Sequence, residues 1–253
     1  MHLLIIDAMN LIRRMYAAMP DHDNKEEACM NRCINTIADN AKRLEVSHCA
    51  VIFERKEPTW RHQIWPDYKL GRSPMPETLE KALNQFKLGF KTAGFYCFEF
   101  QHWEADDVIA SLAVKSAYQG VSNTIISTDK GFFQLVDQRI QVLNHFDRQL
   151  FNEEEVRARY GIKASQLVDL LALTGDATNH LPGIKGVGIK TATDLLTQYQ
   201  DLDTLLIELP ELMLKPKLKE SLAAQWRNAL LTRKLAKLVT DLPLGINLND
   251  MRL

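Results

Sequence analysis

Three carboxylates crowd into the four residues Glu104-Ala105-Asp106-Asp107. Like charges this close raise one another's pKa unless a proton or a cation compensates them. A divalent metal ion bound by oxygen ligands is one such cation. The alternative interpretation is the solvated first turn of a helix, where acids favour the helix dipole. These four residues alone do not decide between the two.

Further acids follow short apolar runs of the kind that form buried parallel strands. The runs span residues 3–6, 49–53, 95–100 and 124–128, with a fifth at 140–143. The acids that follow the first four runs are Asp7, Glu54, the 104–107 cluster and Asp129. Ligands of parallel sheets bind beyond the carboxyl ends of the strands, so these acids should line one crevice. Acids after four successive strands favour a metal site.

Helical periodicity separates the strand runs, at residues 10–19, 25–44, 77–93 and 108–118. Alternation of this kind predicts an α/β fold with a mostly parallel sheet and flanking helices. After residue 152 only helical patterns remain, at 153–160, 165–173, up to 199 and 222–239. We therefore predict an α/β core over residues 1–160 and a helical lobe over 161–253.

The stretch from 55 to 76 is too irregular for a regular element and too aromatic for a simple linker. It interleaves the cations Arg61, Lys69 and Arg72 with aromatic rings, among them Tyr68. Cations among flat rings suit a phosphate backbone with exposed bases to stack. The alternative is an excursion that packs its aromatic side chains onto the body of the protein.

A glycine-rich hairpin spans residues 183–191. It is not a nucleotide P-loop, because Ile189 separates the last glycine from Lys190 and no strand precedes it. Glycines allow a phosphate to approach the backbone, and the following helix offers its positive end. Lys185 and Lys190 add cationic contacts. We favour phosphate binding without sequence preference over an ordinary connection between helices.

Bulk composition excludes several classes of protein. The 253 residues carry a net charge of −1, so any nucleic-acid binding must come from local patches. No apolar run is long enough to span a membrane, and the N-terminus lacks a signal-peptide pattern. The four cysteines contain no CxxC pair, which favours reduced thiols over a zinc site. We expect a cytoplasmic protein without a membrane partner.

The acidic crevice, the basic aromatic stretch and the glycine hairpin together resemble the 5′-nuclease family. This family includes flap endonucleases and the 5′–3′ exonuclease domains of bacterial DNA polymerases I. The chain is most similar to free-standing bacterial flap endonucleases of the exonuclease IX type. The matching segments include Phe53-Glu54-Arg55-Lys56-Glu57-Pro58, Tyr68-Lys69-Leu70-Gly71-Arg72, Glu104-Ala105-Asp106-Asp107, Ser127-Thr128-Asp129-Lys130, Leu173-Thr174-Gly175-Asp176 and Pro182-Gly183-Ile184-Lys185-Gly186-Val187-Gly188.

The resemblance implies a PIN-like nuclease core with an arch or clamp segment over residues 55–93. A helix–three-turn–helix DNA-binding lobe would follow the core. The implied activity is Mg²⁺-dependent hydrolysis of DNA at 5′ flaps or single-strand/double-strand junctions by a monomer, with Mn²⁺ as a possible substitute. A potassium ion would bind in the glycine hairpin.

The resemblance also assigns roles to individual residues. The implied metal ligands are Asp7, Glu54, Glu104, Asp106, Asp107, Asp129 and Asp176, and the implied catalytic residues are Asp106, Lys69 and Arg72, the last two at the scissile phosphate. The backbone carbonyls that would hold K⁺ belong to Leu173, Thr174, Pro182, Ile184 and Val187. The implied DNA contacts are Arg14, Arg61, Tyr68, Lys69, Arg72, Lys185, Gly186, Val187, Gly188, Ile189, Lys190 and Thr191.

The second metal site departs from the family pattern. Gly131 and Asn179 stand where family members usually carry acids. We therefore expect one firm Mg²⁺, with a second ion recruited mainly together with substrate. A DNA-structure-binding protein with reduced or lost nuclease activity is the alternative function. A PIN-type ribonuclease is disfavoured by the helical DNA-binding lobe.

Overall fold

The structure, a computed structural model, describes all 253 residues. Its single sheet has six strands in the order β3-β2-β1-β4-β5-β6. All neighbouring strands are parallel except β6, which pairs antiparallel with β5. The strands are β1 (His2–Asp7), β2 (His48–Phe53), β3 (Tyr96–Glu99), β4 (Ser122–Ile126), β5 (Ile140–Leu143) and β6 (Leu150–Phe151).

Ten α-helices flank the sheet and form the C-terminal part of the chain. None of them is both long enough and apolar enough to cross a membrane. They are α1 (Ala8–Ala17), α2 (Lys25–Arg43), α3 (Trp60–Ile64), α4 (Glu77–Thr92), α5 (Ala105–Tyr118), α6 (Glu153–Tyr160), α7 (Leu167–Thr174), α8 (Ile189–Tyr199), α9 (Leu202–Glu208) and α10 (Pro216–Ala236).

The sheet is buried on both faces. β1 lies in its middle, and its apolar residues alternate between two hydrophobic cores. Leu4 and Ile6 face the core formed with α1, α2 and α4. Leu3 and Ile5 face the core that contains α5 and continues into the helices after residue 160. The helical lobe therefore packs onto the α/β core through a continuous apolar interior.

The chain reverses its direction across the sheet at β1, which has β2 on one side and β4 on the other. A crevice opens at such a switch point, outside the carboxyl ends of the strands. Asp7 ends β1 and accepts a hydrogen bond from the Asn10 amide, so α1 begins at Ala8 rather than at the predicted residue 10. This N-cap places an acid directly at the mouth of the crevice.

The α/β fold with a mostly parallel sheet and a helical C-terminal part is confirmed. The five predicted strands are present, whereas the two-residue β6 carries too short a pattern to be recognised. The stretch 55–76 contains the short helix α3, and α10 begins six residues earlier than predicted, with Pro216 at its first position. In the proposed arch segment, α4 buries Leu79, Phe86 and Phe90 in a core.

Candidate active site

A cleft of about 1070 Å³ lies at the carboxyl edge of the sheet. The structure brings together six of the seven predicted acidic metal ligands in its wall, together with several basic side chains. The acids are Asp7, Glu54, Glu104, Asp106, Asp129 and Asp176, and the cations include Arg14, Lys69, Arg72 and Lys130.

Asp7 is held in one orientation by two donors. The Asn10 amide lies 3.1 Å from Oδ1, and the Ser127 hydroxyl lies 2.9 Å from Oδ2. Burial and, to a smaller extent, the nearby Asp129 raise the pKa of Asp7 to about 6, although these hydrogen bonds oppose the shift. The Asn10 side chain in turn accepts hydrogen bonds from the amide and hydroxyl of Thr128, which fixes the strand end beside Asp129.

Repulsion among the acids extends across the cleft. Burial raises the pKa of Asp106 well above its ordinary value, and Asp129, Asp7 and Glu54 raise it further, while Lys69 opposes the shift. Burial likewise raises the pKa of Glu54 to about 7, with Glu104 and Asp7 as additional causes. These groups are close enough to disfavour one another's charge, and a bound cation relieves such repulsion.

Glu104 differs from the other acids because protein donors surround it. Thr59 Oγ1 donates to Oε1 at 2.6 Å, while Tyr68 Oη and Lys69 Nζ donate to Oε2 at 3.1 and 2.8 Å. Burial alone raises its pKa, but Lys69 and Arg61 outweigh this effect and lower the pKa to about 2. Glu104 is therefore a fixed anion that anchors the 55–76 stretch.

Lys69 lies between Glu104 and Asp106, with its Nζ 2.8 Å from the former and 3.9 Å from the latter. These two acids keep its pKa above the ordinary value although burial lowers it, so the ammonium stays charged. Its backbone has φ of 58°, the left-handed region that is strained for a side chain with a Cβ. The Lys69 amide donates to the Asn179 carbonyl at 3.1 Å, which helps to hold this conformation.

The donor chemistry of the cleft fits a hydrated divalent cation. No three acidic, histidine or cysteine side chains converge into a ready-made metal-binding group. Mg²⁺ does not need such a cage, because it usually keeps several waters and binds proteins through one or two carboxylates and substrate phosphates. Asp7, Glu54, Asp106 and Asp129 offer only hard oxygen donors. The site therefore fits Mg²⁺ or Mn²⁺ better than a closed structural metal.

Asp107 corrects the sequence-based assignment of metal ligands. Consecutive helical side chains diverge by roughly 100°, so Asp107 leaves the first turn of α5 in a different direction from Asp106. It is fully buried and accepts hydrogen bonds from Arg61 at 2.7 and 2.8 Å and from the Val239 amide at 2.9 Å. These donors engage both oxygens, and Asp107 does not line the cleft.

The same contacts correct the predicted DNA contact of Arg61, whose side chain is only 1% exposed. Tyr68 is also buried, with its hydroxyl on Glu104, so the structure gives it a supporting position rather than a surface for DNA. Thr59 was not predicted, although it too supports Glu104. Only its position within the 55–76 stretch could have indicated this.

The residues of the expected second metal site are already engaged in protein contacts. Asn179 Nδ2 donates to Asp176 at 2.7 Å, and Lys130 Nζ lies 3.3 Å from the other oxygen of this carboxylate. Arg72 donates to Asn179 Oδ1 at 2.6 Å. At Gly131 the amide donates to Asp129 at 2.7 Å. Asp176 and Asp129 thus have protein partners at the positions where the resemblance led us to expect further carboxylates.

The glycine hairpin connects α7 to α8 through a close backbone crossing. A Cβ on Gly183 (φ 60°) would lie 2.2 Å from the Gly175 nitrogen, so only glycine fits there. The Ile184 amide donates to the Leu173 carbonyl at 2.9 Å, which ties the hairpin to the last turn of α7. Of the predicted potassium positions, Leu173, Ile184 and Val187 have buried side chains, Thr174 is half-buried and Pro182 is exposed.

The tip of the hairpin is open to solvent. No side chain caps the first amides of α8, which begins at Ile189 after Gly188. These amides and the helix dipole are suited to an anion. The exposed residues at the tip are Lys185, Gly186, Gly188, Ile189 and Lys190, with Thr191 half-buried behind them. Val187 points its side chain inward, so only its backbone can contact DNA.

A six-stranded sheet with an acidic cleft at its switch point and a helical hairpin lobe defines a PIN-like nuclease fold. Residues 2–161 match the family model of the 5′–3′ exonuclease N-terminal resolvase-like domain, and residues 162–253 match that of the 5′–3′ exonuclease C-terminal SAM fold. The chain belongs to the 5′–3′ exonuclease family.

Curated relatives extend over nearly the whole chain. Flap endonuclease Xni of Shewanella putrefaciens is 43% identical over 249 residues, which cover 98% of this chain and 94% of the relative. Flap endonuclease Xni of Colwellia psychrerythraea is 39% identical over 269 residues, with 100% and 92% covered. Among solved structures, a complex of bacteriophage T5 flap endonuclease with DNA and metal ions has a TM-score of 0.76 at 23% identity, with 96% of this chain and 90% of that chain covered.

Proposed function

We propose that this protein is a structure-specific 5′ flap endonuclease and 5′–3′ exonuclease that hydrolyses DNA phosphodiester bonds with Mg²⁺. The observation that carries the proposal is the cleft in which Asp7, Glu54, Asp106 and Asp129 repel one another beside the fixed cation Lys69. Folding alone does not favour such crowding of acids. The two flap endonucleases that share about 40% identity with the whole chain support the same activity.

Asp7, Glu54, Asp106 and Asp129 would hold the divalent cation, with Glu104 behind them as an anchor for Lys69. When bound, Mg²⁺ activates water and neutralises the charge that develops on the phosphate. Mn²⁺ prefers the same oxygen donors and is the expected substitute. Glu54 is one methylene longer than the aspartate usual in the family.

Lys69 and Arg72 act on the phosphate directly in this proposal. Lys69 is preorganised by Glu104, so its charge is in place before substrate arrives, which is what electrostatic stabilisation of a transition state requires. Arg72 is exposed at the cleft and is oriented by its hydrogen bond to Asn179. Both cations belong to the segment that Arg61, Thr59 and Tyr68 fasten to the core.

The duplex would bind at the hairpin tip, where Gly186, Gly188 and the first amides of α8 meet backbone phosphates. Lys185 and Lys190 add charge, and K⁺ bound by carbonyls of the hairpin would rigidify it. Arg14 lies in the cleft itself and would contact the strand that is cut. The 161–253 lobe thus holds duplex DNA while the 1–160 core cuts it. We further propose that the enzyme acts as a cytoplasmic monomer, with its four cysteines reduced.

The second Mg²⁺ would bind mainly together with substrate. Lys130 and Asn179 already satisfy Asp176, so a second cation has to displace them. Calorimetric Mg²⁺ titration with and without flap DNA tests this point. Two tight sites in the free protein would contradict it.

A labelled 5′-flap duplex incubated with the protein in Mg²⁺ or in EDTA tests the proposed activity. We expect cleavage near the junction in Mg²⁺ and none in EDTA, with a blunt duplex as the matched control. Binding without Mg²⁺-dependent cleavage would favour the DNA-structure-binding alternative. A strict requirement for RNA would favour a PIN-type ribonuclease.

A further inference from the structure

The turn between β5 and β6 presents an aromatic ring to solvent at the carboxyl edge of the sheet. Phe146 is 44% exposed there. The turn is nevertheless rigid, because Asn144 Oδ1 accepts from the Phe146 amide at 3.0 Å and Asp147 Oδ1 accepts from the Gln149 amide at 3.0 Å. The Asn144 side chain also donates to Asp147 at 3.0 Å. Phe146 is therefore held in place on the surface.

His145 lies against Phe146, with 4.5 Å between the ring centroids. Its ring is buried, yet neither ring nitrogen has a hydrogen-bond partner. Burial of an unpaired polar group costs free energy, so packing alone does not account for a histidine at this position. Burial and the charge of Arg14 lower its pKa to about 4, so the ring is neutral at physiological pH. Phe146 rests on the uncharged His145 ring at an interplanar angle of 41°, and its exposed ring forms an aromatic platform.

Two arginines near the platform lack acidic partners. Arg14 and Arg159 line the same cleft as Asn144, the first residue of the turn, and no salt bridge in the structure includes either arginine. Arg159 lies over the rings of Phe151 and Tyr160, at 5.3 and 5.8 Å from their centroids. The nearest acid in the turn, Asp147, is engaged by the turn's own hydrogen bonds. Single-strand binding surfaces combine exposed aromatic rings with cations that bind the backbone, and this end of the cleft carries both.

We propose that Phe146 stacks on one unpaired nucleobase of the DNA substrate, while Arg14 and Arg159 bind the phosphates that flank it. The inference rests on the proposed function and adds a contact for a single-stranded segment. In a duplex the faces of the bases are covered by their neighbours, so the platform can accept only an unpaired base. It therefore contributes to recognition of the junction, whereas the hairpin tip holds duplex of any sequence.

The test compares Phe146→Ala with Tyr118→Ala by fluorescence anisotropy on a 5′-flap duplex and on a blunt duplex, in EDTA. Tyr118 is the matched control, because it is 90% exposed at the other end of α5. We expect Phe146→Ala to weaken flap binding by about tenfold, the effect of losing one base–aromatic stack. Blunt-duplex binding should change by less than about twofold, since it uses no unpaired base.

Two further variants separate stacking from packing. Phe146→Trp keeps a flat ring and should restore flap binding, whereas Phe146→Leu keeps apolar volume without a ring and should behave like Phe146→Ala. Equal loss on flap and blunt DNA, or no loss on either, would overturn the proposal. Mg²⁺-dependent cleavage of the same flap by the unmodified protein tests the proposed function separately. If the unmodified protein does not cleave the flap, the proposed function fails, but the difference in flap binding between Phe146→Ala and the unmodified protein can still be measured.

Discussion

Arg61 and Asp107 form a buried bidentate ion pair in which Nη1 and Nη2 donate to the two carboxylate oxygens at 2.7 and 2.8 Å. Arg61 belongs to α3 in the 55–76 stretch, and Asp107 to the first turn of α5. Arg61 also donates to the carbonyls of Leu235 and Lys237, near the end of α10. One ion pair thus joins the segment that carries Lys69 to both the core and the helical lobe.

Loss of Arg61 should leave a buried charge without its partner. We expect Arg61→Met to lower the free energy of unfolding by about 3–5 kcal/mol, the usual cost of breaking a buried ion pair from one side. Urea denaturation followed by circular dichroism measures this change. The double variant Arg61→Met/Asp107→Leu should lose less, because no isolated charge remains. Unchanged stability with weaker DNA binding would instead support the sequence-based assignment of Arg61 as a DNA contact.

The different outcomes for Asp106 and Asp107 show what the sequence can predict. Apolar runs that end in acids were sufficient to predict the parallel strands and the edge at which the acids meet. Spacing could not tell which of two adjacent acids faces the cleft, because the partner of Asp107 is 46 residues away in an irregular stretch. No periodic apolar pattern marks the aromatic turn at 144–149, because side-chain hydrogen bonds within the turn set its conformation.

Asp106→Asn should abolish cleavage and leave duplex binding largely intact. Asp106 lies in the cleft among repelling acids, whereas the proposed duplex contacts lie on the hairpin. We expect the rate with Mg²⁺ to fall at least about 100-fold, the upper end of what loss of an outer-shell partner costs a metal site. Single-turnover cleavage of flap DNA measures the rate, and Asp39→Asn, on the exposed side of α2, is the control. Cleavage at the normal rate would remove Asp106 from the metal assignment.

Asn179→Asp should strengthen the second metal site. The new carboxylate would stand beside Asp176, and two adjacent acids attract a cation more strongly than one acid with an amide. We expect tighter binding of a second Mn²⁺ in the free protein, by about tenfold, the scale on which such partners tune metal sites. Calorimetric titration measures it. Since Asn179 also accepts a hydrogen bond from Arg72, Asn179→Ala controls for loss of that contact. Equal Mn²⁺ binding by both variants would contradict the prediction.

Lys190→Ala should weaken DNA binding to the same extent for all sequences. Lys190 is exposed in the first turn of α8, where we propose that it contacts a backbone phosphate. Removal of one phosphate contact reduces the slope of log affinity against log salt by about 1. Binding to two unrelated duplexes across a range of KCl concentrations measures this slope. Lys42→Ala, exposed on α2, is the matched control, and an unchanged slope for Lys190→Ala would exclude a phosphate contact.

His145 should make the fold sensitive to acid. Its pKa is lowered from 6.5 to about 4 by burial and by Arg14, with Asp147 opposing, so the unfolded chain binds a proton that the folded chain rejects. Stability is therefore lost as the pH falls from about 6.5 to about 4, by roughly 3 kcal/mol in all. Asp7 and Glu54, whose pKa values are raised, contribute with the opposite sign in part of this range, so only the difference between variants isolates the histidine.

His145→Phe keeps an aromatic ring against Phe146 and removes the titrating nitrogens. Urea denaturation at pH 7 and pH 4.5 should show a smaller acid loss for His145→Phe than for the unmodified protein, whereas parallel losses would mean that the folded protein accepts the proton without cost. Flap binding by His145→Phe at pH 7 should be unchanged, because an aromatic ring beneath Phe146 is preserved.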